Sequence, residues 1–424
     1  MNDNFGEIGS PRFRRRKAVI GVVAIVGASA LLLSGCSGGT QSADTNLTLN
    51  IGTLLPQTGS LATLGPPAIE AANLAAADIN AANQGIKINL TQKDSGDTST
   101  NIATPAVTSL LGDNVSAIVG AESSSVSFGV INQIVKAGVL MMSPANTSPA
   151  FTTYADDGFY FRTAPSDVLQ GRVLAKKIAT DGATKLGIIY QNDSYGQGLN
   201  ENVTKDFAED GGEVVAQVPF DPKSTNFSAE VDKVLAAGPD AVLVISFDQI
   251  KQIVPELKKH GFDFTKFYGT DGNFDVIDSK YTNADIAGAQ FSNPGAQPTP
   301  EFKARLQAQT VKDGVAPLTV FSYAAETYDA VVLLALAALQ GKGVDGATLK
   351  NNLQKVSGGG TKATDFTAAA QLIKEGKDVD YDGLSGQISF DSNGDPNQAY
   401  ISIYKYGPQN TSVFESSEFG ELPK

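Results

Sequence analysis

Residues 185–219 are KLGIIYQNDSYGQGLNENVTKDFAEDGGEVVAQVP, and this stretch decides the fold class. It predicts a strand at Lys185–Tyr190, a helix at Gly196–Asp210 and a second strand at Glu213–Pro219. Short, continuously apolar strands that alternate with amphipathic helices are typical of parallel sheets covered by helices on both faces. The stretch therefore predicts an α/β protein.

The same alternation extends through most of the chain, and its length suits two domains of roughly 150–200 residues each. Further strands are predicted at Leu47–Leu55, Ile86–Leu90, Ala117–Gly120, Val139–Met142, Ala241–Ser246, Lys266–Gly269 and Ala287–Phe291. Further helices are predicted at Pro66–Ala82, Thr100–Leu111, Ser125–Lys136, Gln170–Asp181, Phe227–Ala236, Gln249–His260, Pro300–Gly314, Ser322–Gln340, Leu349–Val356 and within Thr361–Lys377. Gln387–Phe390 and Tyr400–Tyr406 are expected to add antiparallel strands at sheet edges.

The N-terminus has the order of a secretory signal peptide. Five basic residues between Arg12 and Lys17 precede an apolar run from Ala18 to Leu33. Leu33 is also the first residue of the sequence Leu-Ser-Gly that directly precedes Cys36. This ending is similar to a bacterial lipobox, which implies removal of residues 1–35 and a lipid on Cys36. The alternative is a retained membrane anchor, but a span needs about 20 apolar residues and this run has 16. Residues 36–46 then form a small, polar tether.

Composition excludes several classes of protein. Without residues 1–35, which hold five of the 32 basic and two of the 45 acidic residues, the chain keeps 27 basic and 43 acidic residues and a net charge near −16. Such a chain repels nucleic acid. His260 is the only histidine and Cys36 the only cysteine, so the usual Ser-His-Asp, Cys-His and zinc sites lack their parts. We therefore expect no enzyme, no cofactor and no metal site.

Two sequences that suggest a special site have simpler explanations. His260 precedes Gly261 at the predicted end of a helix, where a glycine cap is common. Residues 391–395 (Asp-Ser-Asn-Gly-Asp) suggest a calcium loop, but Pro396 stands where glycine is needed, so we expect a hairpin turn.

The carboxyl ends of the predicted strands are rich in hydroxyl groups, glycine and acids. In open α/β sheets, ligands bind in the crevice outside these ends. The segments are Pro56–Pro67, Ala121–Ser125, Ser143–Thr147, Gln191–Gly198, Phe247–Gln249 and Thr270–Asn273. Ser123-Ser124-Ser125 suits either an anion cradle at a helix N-terminus or plain helix capping. Asp271 before Gly272 suits either a ligand contact or a turn.

Six short motifs, in their order and spacing, resemble the leucine/isoleucine/valine-binding proteins, the extracellular receptors of branched-chain amino-acid ABC importers. The motifs are IGTLLPQTG at 51–59, GAESSS at 120–125, SPANT at 143–147, NDSYGQG at 192–198, GTDG at 269–272 and GQISFD at 386–391. The resemblance covers residues 47–406. It implies two α/β lobes joined by three crossovers, of the type I periplasmic-binding fold. Lobe 1 would be residues 46–163 with 292–392, and lobe 2 would be residues 164–291 with 393–424.

The resemblance also implies a set of ligand contacts in the cleft between the lobes. Ser123, Thr147 and the backbone of Ala145 would meet the ligand carboxylate, and Asp271 would pair with its ammonium group. The remaining contacts would be Tyr195, Phe247 and Leu64.

Four features depart from the family pattern. The family often has Glu at the position of Asp271, and a Tyr can occur near Phe247. Glu122 is unusual beside a carboxylate site, so we expect it to point away or to cap a helix. The segment Gly358–Asp380 is longer than usual and has no predicted role.

The sequence therefore predicts a lipid-anchored receptor outside the cytoplasmic membrane, or on its periplasmic side if an outer membrane exists. It would bind a small amino acid, aliphatic and branched, and deliver it to the permease of an ABC importer. The alternatives are a receptor of the same fold for urea, a short amide or an aromatic acid, an exported enzyme, and an adhesive lipoprotein.

Overall fold

Residues 46–422 are described by the computed structural model of the chain. The predicted signal peptide and lipidated Cys36 lie outside this range, and so does the tether except for its last residue. The first elements are β1 (Leu47–Leu55), α1 (Gly65–Ala82), β2 (Ile86–Asp94), α2 (Ala103–Gly112), β3 (Ala117–Gly120), α3 (Ser124–Lys136), β4 (Leu140–Ser143) and β5 (Tyr160–Arg162). Their strands form a parallel sheet in the order β2-β1-β3-β4-β5.

A second run of alternating elements follows. These are α4 (Asp167–Thr180), β6 (Lys185–Gln191), α5 (Ser194–Glu209), β7 (Glu213–Phe220), α6 (Ser228–Ala236), β8 (Ala241–Ile245), α7 (Ile250–Lys259), β9 (Phe267–Gly269) and β10 (Gln290–Pro294). Strands β7-β6-β8-β9-β10 are parallel neighbours. Helix α7 ends as predicted, with His260 at its C-cap and Gly261 at φ 70°.

The last third of the described chain divides between the two sheets. Its elements are α8 (Pro300–Asp313), α9 (Ala324–Gly341), α10 (Gly346–Val356), β11 (Thr361–Ala363), α11 (Phe366–Lys374), β12 (Val379–Gly383), β13 (Gly386–Gln387), β14 (Gln398–Tyr406) and β15 (Ser412–Glu421). The apolar faces of α8–α11 join the core that covers one face of the first sheet. Strands β14 and β15 instead extend the second sheet antiparallel to β10.

The structure confirms the α/β class and corrects several elements at its edges. Strand β10 begins three residues later than predicted and runs to Pro294, so residues 292–294 pair within the second sheet. The segment Thr361–Lys377 contains a short strand before its helix, and β11-β12-β13 form a small third sheet. Strand β15 was not predicted, because its residues are largely exposed and carry little apolar signal. The exact lobe boundaries stay a prediction.

Apolar side chains cover both faces of both large sheets. One core lies between the first sheet, α1 and α8–α11, and another lies on the opposite face beneath α2 and α3. Helix α9 is buried over most of its length. Among residues 46–422 no single helix has the length and composition to cross a membrane, while α9 and α10, bent by 102° to each other, pass that test only as a pair.

A fully buried ion pair joins the end of β5 to the turn before β14. The Arg162 guanidinium donates from Nε to Asp395 Oδ1 at 2.6 Å and from an Nη to Asp395 Oδ2 at 2.8 Å, and neither side chain is exposed. Asp391 closes that turn, since its Oδ1 accepts from the backbone N–H groups of Asn393 and Asp395. The predicted hairpin turn is thus observed, and its function is to present Asp395 to Arg162.

Asp395→Asn should lower the free energy of unfolding by about 3–5 kcal/mol, because it leaves the Arg162 charge buried without its partner. Urea unfolding followed by circular dichroism measures the change. Glu209→Gln is the control, since the Lys205–Glu209 pair is exposed and should contribute less than about 1 kcal/mol. A loss below 1 kcal/mol for Asp395→Asn would show that the buried pair does not stabilise the fold.

Candidate functional site

The candidate site lies where the carboxyl ends of the two large sheets meet. From the first sheet come the loops after β1, β3 and β4, and from the second come the segments after β6, β8 and β9. Contacts between the two sets of loops close the site. Ser125 Oγ lies 2.6 Å from Ser194 Oγ, and the Asp248 N–H donates to the Ser60 carbonyl at 3.2 Å.

Two carboxylates fold the loop after β1 over the site. Asp97 accepts from the N–H and hydroxyl of Ser60, each at 2.5 Å, and Asp94 accepts from the Gln57 N–H at 2.8 Å. Burial favours a higher pKa for Asp97, but its hydrogen bonds from Ser60 and Ser99 outweigh burial and lower the pKa below the ordinary value. The charged carboxylates thereby hold the loop that carries Leu61 and Leu64.

Arg162 fixes the loop after β4. Besides pairing with Asp395, it donates to the carbonyls of Asn146 at 3.2 Å and Ser148 at 2.8 Å. Ser143 Oγ accepts from the N–H groups of Ala145 at 3.2 Å and Asn146 at 2.9 Å. The position of Ala145 is therefore set by buried polar contacts on both sides.

The Asp271 carboxylate is the centre of a buried hydrogen-bond network. Its Oδ1 accepts from Gln170 Nε2 at 2.7 Å and from the Tyr195 hydroxyl at 3.0 Å, and its Oδ2 accepts from the Tyr323 hydroxyl at 2.6 Å. Burial raises the pKa of Asp271, while these three hydrogen bonds act in the opposite direction. The Tyr195 ring stacks on Phe247 with centroids 5.5 Å apart.

These side chains line a narrow cavity with about 10 Å³ of free space, roughly that of one water molecule. Its lining residues are Leu61, Leu64, Glu122, Ser124, Ala145, Tyr195, Phe247, Asp271, Gly272 and Tyr323. The lining combines apolar and aromatic residues with two acidic residues, and none of the lining residues is basic. Asp167 lies at the start of α4 with both oxygens unpartnered in the described chain, and burial together with Asp271 raises its pKa well above the ordinary value. The site is therefore rich in acids.

The structure brings five of the seven predicted contact residues together in the cavity wall, and these five are Leu64, Ala145, Tyr195, Phe247 and Asp271. Ser123 instead caps α3, with its Oγ 3.5 Å from the Val126 nitrogen, and its neighbour Ser124 lines the cavity. Thr147 is buried beside the site, and its Oγ1 has no hydrogen-bond partner among residues 46–422. The roles of these residues toward a ligand stay predictions.

Glu122 corrects an expectation. The residue lines the cavity, and its carboxyl group caps no helix in the described part of the chain. It is 3% exposed, and neither oxygen has a hydrogen-bond partner in the described part of the chain. Burial alone raises the pKa of Glu122 to about 8.

Comparison with known proteins assigns the family. A family model described as periplasmic binding protein matches residues 48–407. The chain belongs to the periplasmic binding protein family. The resemblance to leucine/isoleucine/valine-binding proteins is thereby confirmed, and so are the α/β fold and the two-lobed type I architecture. Proteins of this family are substrate-binding proteins rather than enzymes.

Similar periplasmic binding proteins include two curated relatives and two solved structures. The substrate-binding protein BasB of Halobacterium salinarum is 28% identical over 67% of this chain and 68% of its own length. The Leu/Ile/Val-binding protein BraC3 of Rhizobium johnstonii is 24% identical over 84% of this chain and 91% of its own length. This chain covers only about half the length of some other relatives. It covers, for example, 53% of the Leu/Ile/Val-binding protein homolog 3 of Brucella melitensis.

The solved structure of LivJ from Streptococcus pneumoniae, in complex with isoleucine, has a TM-score of 0.70 and 25% identity. The match covers 88% of this chain and all of that chain. A solute-binding protein of Rhodopseudomonas palustris in complex with p-hydroxybenzoic acid also has a TM-score of 0.70, with 17% identity over 88% of this chain and 97% of that chain. The second likeness supports the fold alone.

Sequence reasoning missed several residues of this periplasmic binding protein site. The lining residues that were not predicted as contacts are Leu61, Ser124, Gly272 and Tyr323. Glu122 also lines the cavity, although the sequence predicts that it points away or caps a helix. Ser124 directly follows the predicted contact Ser123 in the same motif. Tyr323 had no local signal, since it precedes α9 and no strand ends near it.

Glu122→Gln should stabilise the ligand-free protein by roughly 2–4 kcal/mol at pH 8 and by little near pH 5. Unfolded Glu122 loses its proton near pH 4.5 but folded Glu122 keeps it to about pH 8, so wild-type stability falls across this interval. Urea unfolding at pH 5, 6.5 and 8 measures the difference. The control is Glu201→Gln on the exposed face of α5, which should stay within about 0.5 kcal/mol at each pH. A Glu122→Gln difference that does not grow with pH would contradict the burial of a neutral carboxyl group.

Proposed function

We propose that this protein is the extracellular substrate-binding lipoprotein of an ABC importer, and that it binds a small amino acid with an aliphatic, branched side chain. The observation that carries the proposal is the buried Asp271 carboxylate in the wall of an otherwise largely apolar cavity. A buried carboxylate with a remaining acceptor site suits a ligand ammonium group, because such charge-assisted bonds are strong.

The rest of the cavity supports an amino acid in three ways. Ser124 and Ala145 line the cavity on the side of the first sheet, where a carboxylate is expected from the family resemblance. Leu61, Leu64 and Phe247 supply apolar surface for an aliphatic side chain. Tyr195 and Asp271 both reach the cavity from the second sheet and bond each other, so closure of the cleft would bring them to the ligand together.

The aromatic acids bound by the Rhodopseudomonas proteins are less suited to this cavity. Such a ligand brings a negative charge and no ammonium group, whereas two carboxyl groups and no basic side chain line the wall. Burying an unpaired negative charge beside other acids costs free energy. The acidic wall therefore favours a ligand that contains a nitrogen donor.

Delivery to a permease requires that the receptor stay close to the membrane. The lipobox-like sequence ending at Cys36 supports anchoring by a lipid, and the tether that follows leaves the folded part free to dock. The closed form, with its two sets of loops in contact, would be the form that the permease recognises.

Thermal denaturation with a panel of amino acids, amides and aromatic acids tests the binding proposal. An amino-acid ligand at 100 times its Kd should stabilise the protein by about 2.7 kcal/mol. Asp271→Asn should weaken that ligand by tenfold or more, because it removes the charge that pairs with the ammonium group. Asp329→Asn is the control, since Asp329 is also buried and accepts four hydrogen bonds but does not line the cavity. If no amino acid stabilises the wild-type protein, the proposal is wrong.

Fractionation of cells that express the full chain tests the anchor. The wild-type protein should be found with membranes, and its mature N-terminal peptide should begin at a lipid-modified Cys36 in mass spectra. Cys36→Ser should block this processing. A wild-type protein that begins at another residue and stays in the soluble fraction would rule out lipid anchoring while leaving ligand binding untouched.

A further inference from the structure

Glu122 lines the cavity, and its carboxyl group makes no hydrogen bond within residues 46–422. Its backbone is fixed, because Asn146 Nδ2 donates to the Glu122 carbonyl at 2.8 Å and Ser143 Oγ donates to the neighbouring Ala121 carbonyl at 2.6 Å. Both carboxyl oxygens are buried and lack a hydrogen-bond partner among residues 46–422. A buried carboxyl group without partners costs free energy, so its retention in a cavity wall points to a partner that arrives with the ligand.

The acceptor capacity of the cavity is concentrated at Glu122. A carboxyl group offers about four acceptor sites once it is ionised, and a ligand cation beside Glu122 would favour its ionised form. Asp271 already uses three of them for Gln170, Tyr195 and Tyr323, whereas Glu122 uses none. No basic side chain lines the cavity to balance either acid. The wall therefore complements a ligand with more hydrogen-bond donors and more positive charge than a simple aliphatic zwitterion.

We propose that Glu122 binds a second nitrogen donor group of the ligand, so that the receptor prefers amino compounds with two such groups to simple aliphatic amino acids. This inference rests on the receptor role and the Asp271–ammonium pairing of the proposed function, and it replaces the simple aliphatic amino acid as the preferred ligand. The second group is either a carboxamide in place of the carboxylate or an amine in the side chain. In both cases N–H groups donate to the free oxygens of Glu122, while the first amino group pairs with Asp271.

Calorimetric titration with two matched ligand pairs tests the inference. Leucinamide differs from leucine only in its carboxamide, and ornithine differs from norvaline only in its side-chain amine. In at least one pair, leucinamide or ornithine should bind with a Kd at least tenfold lower than that of leucine or norvaline, respectively. The pair that shows the preference identifies the second group as an amide or as an amine.

The source of the preference is tested with Glu122→Gln, which keeps the shape of the side chain but cannot ionise when the ligand binds. The variant should reduce the preference to threefold or less and still bind leucine or norvaline. Glu70→Gln is the matched control, because Glu70 is also buried with an unpartnered oxygen but does not line the cavity, and it should keep the wild-type preference.

Three results would overturn the inference. Equal or tighter binding of leucine and norvaline by the wild-type protein would mean that a protonated Glu122 donates to a carboxylate or takes no part. A preference that survives Glu122→Gln would place its origin elsewhere. Failure of all four compounds and of every other amino acid would remove the proposed function as well. The wild-type affinity ratios decide the first point even if the variant does not fold.

Discussion

The buried Asp271 carboxylate is the interaction on which the site depends. Its donors come from three separate parts of the chain: Gln170 from α4, Tyr195 from α5 and Tyr323 from the residue before α9. The first two helices pack on the second sheet, whereas α9 is central to the core of the first. A buried carboxylate must be satisfied or it is costly. Gln170 and Tyr195 satisfy Asp271 from its own half of the fold, and the Tyr323 bond joins the two halves beside the cavity.

The loops around Asp271 are themselves positioned by charges rather than by apolar packing alone. Asp94 and Asp97 fold the loop after β1, and Arg162 fixes the loop after β4 while it pairs with Asp395. Strand ends leave backbone polar groups without ladder partners, and these side chains satisfy them. The acids of this acidic chain therefore have two uses near the site. Some stabilise the loops, and Glu122 and Asp271 face the cavity.

The sequence allowed the fold to be predicted well because its strands are apolar and short and its helices are periodic. Elements with weak apolar patterns were predicted poorly, such as the exposed strand β15 and the small third sheet. Most of the predicted contact residues follow strands, so their convergence follows from parallel topology. The motif predicted Ser123 as the contact, whereas Ser123 caps α3 and the adjacent Ser124 lines the cavity. The geometry of the helix start decides which serine does which, and a motif does not specify that geometry. Tyr323 reaches Asp271 from a residue distant in sequence, and no local pattern predicts such a contact.

A crystal structure of the protein with a bound amino compound tests the central claim most directly. The ligand should lie between Leu64, Tyr195 and Phe247, with one nitrogen within about 3.2 Å of the Asp271 carboxylate. A ligand bound outside this cavity, or one inside it that places no nitrogen near Asp271, would contradict the account.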